Sequence, residues 1–169
     1  MPEQKSRRVF TIVGPLRVPS ERKHIEDFHV REFWSAQKAH MESRGVYMLA
    51  FKAGPGFTPI YVGKTNRDFY REVFNASNLN KYNSALNKYK KCTVVLFLMV
   101  YPPHRGAINK KFIDEAETFL IRLAQQANPN IKNTRKVDKG PKWAIQGIND
   151  SKRGRRSLAA QSLRRALNL

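Results

Sequence analysis

Two short β-prone runs, Gly45-Val46-Tyr47-Met48-Leu49-Ala50-Phe51 and Ile60-Tyr61-Val62-Gly63-Lys64-Thr65, constrain this chain more than any other stretch. Between them stands Ala53-Gly54-Pro55-Gly56, whose glycines and proline favour a chain reversal, so the segment reads as a β-hairpin. Antiparallel pairing would set Tyr47 and Tyr61 on neighbouring strands with their rings facing one site. Thr65, with Asp68 three residues on, predicts a helix cap and a first-turn acid. A helix over about 66–75 should therefore follow, with Phe69, Tyr70, Val73 and Phe74 on its buried face and Lys64 at the junction.

Two further elements are strongly patterned. Thr93 to Val100 is continuously apolar and β-branched at its start, as in a central strand covered on both faces, and Pro102-Pro103 stops it. Lys110 to about Ala127 places Phe112, Ala116, Phe119, Leu120, Leu123 and Ala127 at helical intervals. Glu117 lies at the edge of that stripe, in line with Ile113 and Ile121, where a carboxylate loses water unless it is paired. That marks it as a ligand candidate ahead of Asp114 and Glu115.

Around these elements the pattern is looser. Residues 8 to 13 predict a short strand ended by Gly14-Pro15, and a helical pattern runs from Ser20 to about Ser43. Residues 75 to 91 read as a polar loop with a short helix near Ser84 to Tyr89. After Lys139 the chain turns basic; Trp143 to Gly147 reads as a short strand or turn. A final helix starts at Ser157, with Leu158, Ala159, Leu163, Ala166 and Leu167 inward and Arg164 and Arg165 outward. The expected fold is α/β of the α+β kind, a small three-stranded antiparallel sheet flanked by helices. It divides into an N-terminal extension over 1–44, a core over 45–138 and a basic C-terminal appendage over 139–169.

In the hairpin, Gly45-Val46-Tyr47 and Tyr61-Val62-Gly63 resemble the two short motifs that give the GIY-YIG nucleases their name, each with Val in place of Ile. Arg71 follows Tyr61 by ten residues, Glu117 opens Glu117-Thr118-Phe119-Leu120-Ile121, and Asn133 closes Asn128-Pro129-Asn130-Ile131-Lys132-Asn133. The order matches the family's Arg, Glu and Asn, and the resemblance spans about residues 45–135. It implies a metal-dependent endonuclease that hydrolyses DNA phosphodiester bonds. In that reading Glu117 holds one Mg2+ (or Mn2+) and Arg71 stabilises charge on the phosphoryl group. One tyrosine of the pair takes the proton from water while the other orients it, with Tyr47 the first choice for the base. Lys64 contacts phosphate or helps deprotonate water. Asn133 supports the site, with Asn130 as a competing assignment.

Charge agrees with a polyanionic partner. The formal charge is +19, and residues 131–169 carry 11 basic against 2 acidic side chains. Such density favours nucleic acid through counterion release. Arg67, Lys152, Arg153, Arg155, Arg156, Arg164 and Arg165 are the candidate contacts, to DNA first and with RNA open. Two other classes compete: a nucleic-acid-binding module of the same fold that does not cut, and a ribosome-like basic partner. No apolar run approaches the roughly 20 residues of a membrane helix. The start offers no secretion signal, and the single cysteine permits no internal disulfide. A cytoplasmic protein without a membrane partner is expected. His24, His29 and His40 lack the neighbours of a zinc site, and there is no P-loop or dinucleotide fingerprint.

Overall fold

The computed structural model describes residues 8–22, 24–89, 91–103, 106–131, 133, 143–148 and 156–169. Its five strands are β1 (Arg8–Arg17), β2 (Gly45–Ala53), β3 (Gly56–Thr65), β4 (Thr93–Val100) and β5 (Trp143–Ile145). They lie side by side in the order β3-β2-β4-β1-β5. The first four are antiparallel to their neighbours, and β5 runs parallel to β1. The hairpin is present: Tyr47 lies opposite Gly63 and Leu49 opposite Tyr61. Ile60 is an extra residue in that ladder, because the next partner of Ala50 is Pro59.

The sheet is larger than the three strands expected. The segment at 8–13 does not end at Gly14-Pro15; a register shift between Val13 and Leu16 absorbs those two residues, and the strand continues to Arg17 along β4. A bulge of this kind lets a strand keep its ladder through residues that would otherwise break it. The element also gains a parallel partner, Arg8 to Phe10 pairing with Trp143 to Ile145.

Helices cover both faces. On one lie α1 (Asp27–Ala36), α2 (Phe69–Glu72) and α3 (Ala76–Leu86), packed on Leu49, Phe51, Leu96 and Leu98 through Phe33, Trp34, Phe74, Tyr82 and Leu86. On the other lie α4 (Lys110–Ala127) and α5 (Leu158–Ala166), packed on Val46, Met48, Val62, Phe97 and Met99. Burial on both faces explains the unbroken apolar run of β4. The alternation of β2 decides the site, since Val46 and Met48 face α4 whereas Tyr47 and Leu49 face α3.

Several expectations about the helices change. The helix expected from Ser20 to about Ser43 is confined to α1, followed by a single 3-10 turn at Lys38–His40. The face that α4 buries runs through Ile113, Ala116, Glu117, Leu120, Ile121 and Ala124, so Phe112, Phe119, Leu123 and Ala127 of the expected stripe are only partly buried. The chain between Thr65 and Asn75 forms only the single turn α2, capped by Asp68 rather than Thr65; Asp68 Oδ1 accepts the Arg71 N–H at 2.8 Å. One turn cannot bury four side chains on one face, and Tyr70 is 50% exposed. The stretch read as a polar loop is instead the three-turn α3, begun by the Asn75 side chain accepting from Asn78 N. α5 starts one residue later than expected, with Ser157 as its cap, and Leu158, at its first position, is 78% exposed rather than inward. Arg164 is half-buried rather than outward, its Nη1 donating to the Gly147 carbonyl at 3.5 Å.

Candidate active site

Glycine at two positions fixes the local shape. Gly45 has φ of +141°, and a side chain there would collide with the Met99 carbonyl oxygen. Gly63 has the Tyr47 ring laid across it, and a Cβ there would collide with the phenol end of that ring. The two tripeptides are thus one packing unit: a tyrosine from β2 covers a glycine of β3.

On the α4 side, Lys64 leaves β3 and meets two carboxylates one helical turn apart. Its Nζ is 2.7 Å from Asp114 Oδ1 and 3.2 Å from Glu117 Oε2. The Glu117 side chain is 10% exposed and that of Asp114 50%. Partial burial pulls the Lys64 pKa down, but the hydrogen bonds and charges of Asp114 and Glu117 outweigh it and hold the group above the ordinary lysine range. Lys64 is therefore a cation at neutral pH and not a proton acceptor. Asn133 closes the outer edge of β3: its Oδ1 accepts from Val62 N at 3.0 Å and its Nδ2 donates to Val62 O at 2.8 Å. Asn130 makes no such contact; its backbone N–H donates to the Asn128 side chain.

On the opposite side lies a polar network around three tyrosines. Tyr47 is fully buried, and its hydroxyl accepts from Asn78 Nδ2 at 2.8 Å. Asn78 Nδ2 also donates to the Glu72 carbonyl at 2.8 Å. Tyr82, equally buried, donates to the Val73 carbonyl at 2.8 Å. Burial drives the Tyr47 phenol far above its ordinary pKa, reinforced by Tyr82, Tyr61 and Glu72 and only partly countered by Asn78. The same burial raises Tyr82. Tyr61 is half-buried, its ring 6.2 Å from that of Tyr47 and 6.0 Å from that of Tyr82. Lys81 stands beside it, Nζ 3.5 Å from the hydroxyl and 4.6 Å from the ring centre.

The predicted residues thus form groups rather than one pocket. Tyr47 with Tyr61, and Lys64 with Glu117, are brought together in pairs, but on opposite sides of β3. Arg71 is in neither: its exposed guanidinium lies 3.6 Å from Asp68, beside Arg67 in a cleft next to α2. Arg156 and Arg165 are exposed on α5 and the residues before it. Lys152, Arg153 and Arg155 lie outside the described residues.

The sequence ranks Asp114 below Glu117 as a ligand candidate, and gives no sign of Asn78 or Lys81. Asp114 has a usable signal, standing three residues before Glu117 and so on the same helix face. Asn78 and Lys81 fall in the stretch read as a loop, where nothing marked a helix face. Metal fit follows from the donor set. Among the described residues no three His, Cys, Asp or Glu side chains gather as an all-protein cage. Asp114 and Glu117 suit an ion such as Mg2+, which takes one or two carboxylates and completes its shell with water and phosphate oxygens. No family model, curated protein or solved structure matches the chain.

Proposed function

We propose that the protein is a metal-dependent endonuclease that hydrolyses DNA phosphodiester bonds at the edge formed by β3, in the manner of the GIY-YIG nucleases it resembles. One observation supports this above the others: Lys64 beside the second tripeptide and Glu117 on the long helix, 53 positions apart in the chain, meet at 3.2 Å. The gathering is completed by Asn133, clamped to the residue between Tyr61 and Gly63.

Because β3 is the outermost strand among the described residues, a nucleic-acid backbone lying across it reaches both faces of the sheet. Tyr61 and Lys64 are three residues apart, about 10 Å along a strand, and point to opposite faces of it. Glu117, with Asp114, would hold the divalent ion. When bound, that ion supplies Lewis-acid stabilisation at the scissile phosphate. Lys64 keeps its positive charge and neutralises the phosphate and the carboxylates together. Tyr61 is the phenol with access to solvent and an ammonium beside its oxygen, so of the two tyrosines it is the one that can contact a water or a phosphate of the strand. Tyr47 is enclosed and its oxygen is occupied by Asn78; its role is to seat the ring over Gly63. Arg71 offers its planar fork to a neighbouring phosphate.

The competing reading is a nucleic-acid-binding module that does not cut. The division of the phenols and the carboxylates between two faces favours it. Plasmid nicking in Mg2+, compared between Tyr61→Phe and Tyr47→Phe, separates the two. The nuclease reading expects nicking by the wild type, a loss of at least about a hundredfold in Tyr61→Phe and a much smaller loss in Tyr47→Phe. Binding without nicking by the wild type selects the module.

A further inference from the structure

We propose that the cleft between residues 41–44 and α2 takes an unpaired nucleotide of a polynucleotide strand, its base stacked on Tyr70 and its phosphates held by Arg44, Arg67 and Arg71. This rests on the nucleic-acid part of the reading above and not on cleavage.

The cleft, about 550 Å3 in volume, is lined by those four residues with Asn66 and Met41. That volume lies within the usual range for small-ligand sites. Its walls are joined without a ligand. Phe69 N donates to the Ser43 carbonyl at 2.8 Å, Tyr70 N to the Met41 carbonyl at 3.1 Å, and Tyr101 N to the Arg44 carbonyl at 2.8 Å. Guanidinium groups from segments more than twenty residues apart in sequence are thus presented from a rigid frame. Glu42 and Asp68 also line the cleft. Asp68 is already used, capping α2 and lying 3.6 Å from Arg71 Nε, so the net excess is a single positive charge and bulk attraction alone does not explain the site.

Two features narrow the ligand. Tyr70 is half-exposed, and its ring centre lies 5.9 Å from that of Trp34 with the two planes at 63°. A half-exposed aromatic ring beside arginines suits a nucleobase, because every base presents a flat π-surface. Asn66 Oδ1 is buried and meets no donor among the described residues. A buried acceptor without a partner is costly, and phosphate, itself an acceptor, cannot satisfy it. A base amino or imino group, or a sugar hydroxyl, can. A ligand carrying anionic oxygens, a flat ring and a donor is a nucleotide, and in a duplex both ring faces are already covered by stacked neighbours. The base must therefore be unpaired.

Fluorescence anisotropy with labelled single-stranded and duplex oligonucleotides of one sequence tests this on the full chain. Tyr70→Ala should weaken single-strand binding about tenfold and change duplex binding by less than about twofold, while Tyr70→Phe retains wild-type affinity for both. Arg67→Ala, which removes an exposed side chain, should also weaken the single-strand complex and guards against misfolding of Tyr70→Ala. A nucleoside monophosphate should compete poorly against the oligonucleotide. Wild-type affinity in both Tyr70→Ala and Arg67→Ala overturns this inference alone, as does full competition by the monophosphate. A wild-type protein that binds neither oligonucleotide overturns it together with the proposed function.

Discussion

At the scale of single residues, burial separates two tyrosines that the sequence treats alike. Tyr47 has its hydroxyl enclosed and hydrogen-bonded, whereas Tyr61 keeps an outlet and an ammonium neighbour. The difference has a pH consequence. The folded-state pKa values of Tyr47 and Tyr82 lie above the unfolded value of 10.0, so their burial stabilises the fold fully below that value. The contribution is lost as pH rises above it, because the unfolded chain releases protons that the folded chain retains. Lys64, also raised above its unfolded 10.5, acts in the same direction: its ion pairs are lost as pH climbs through the folded value. In an alkaline titration followed by tyrosinate absorbance, neither Tyr47→Phe nor Tyr82→Phe should remove amplitude from the native-state curve. Both rings should ionise only with cooperative unfolding. A native ionisation that disappears in Tyr47→Phe would mean that the ring is accessible.

At the scale of elements, α3 ties the two sides of its face together. Asn83 accepts from Ile25 N at 2.8 Å and donates to Ile25 O at 3.1 Å, fixing the segment before α1 to a helix 58 residues away. Asn83→Ala leaves both backbone groups without these partners and should cost about 1–3 kcal/mol, read as a lower urea midpoint at unchanged slope. An unchanged midpoint would mean that water replaces the clamp freely. The same helix shows what sequence could and could not supply. The hairpin is legible from the turn residues between its two β-prone runs, β4 from an unbroken apolar run, α4 from apolar residues at helical intervals, and the start of α5 from the amphipathic run after Ser157. α3 is not, since its buried face includes Asn78 and Asn83, polar residues whose partners are distant in sequence. β1 ran past Gly14-Pro15 because the bulge is supported by β4, 80 residues on. Of the candidate site, the pairing of Lys64 with Glu117 needed the long-range docking of α4, and the enclosure of Tyr47 needed α3.

For the whole molecule, charge and core overlap at the C-terminus. The sequence predicts an appendage over 139–169, yet Ile145, Ala160, Leu163 and Leu167 are buried in the same cluster as α4. Deleting 139–169 would remove part of that core, so loss of binding in such a truncation would not isolate the arginines. Replacing the exposed Arg156 and Arg165 with Ala is the cleaner change. It should leave thermal unfolding near wild type and reduce the slope of log affinity against log salt by about 1–2 for duplex DNA. An unchanged slope would remove this face from the interface.

The central claim is that Glu117, set beside Lys64 at the edge of β3, belongs to a phosphodiester-cleaving site. Initial rates of plasmid nicking in Mg2+ for the wild type and Glu117→Gln, with DNA affinity measured on the same preparations, test it most directly. The wild type should nick, and Glu117→Gln should lose at least about a hundredfold in rate (roughly 2.7 kcal/mol in the barrier) while keeping salt-sensitive binding within about twofold. Nicking by Glu117→Gln at the wild-type rate would contradict the claim.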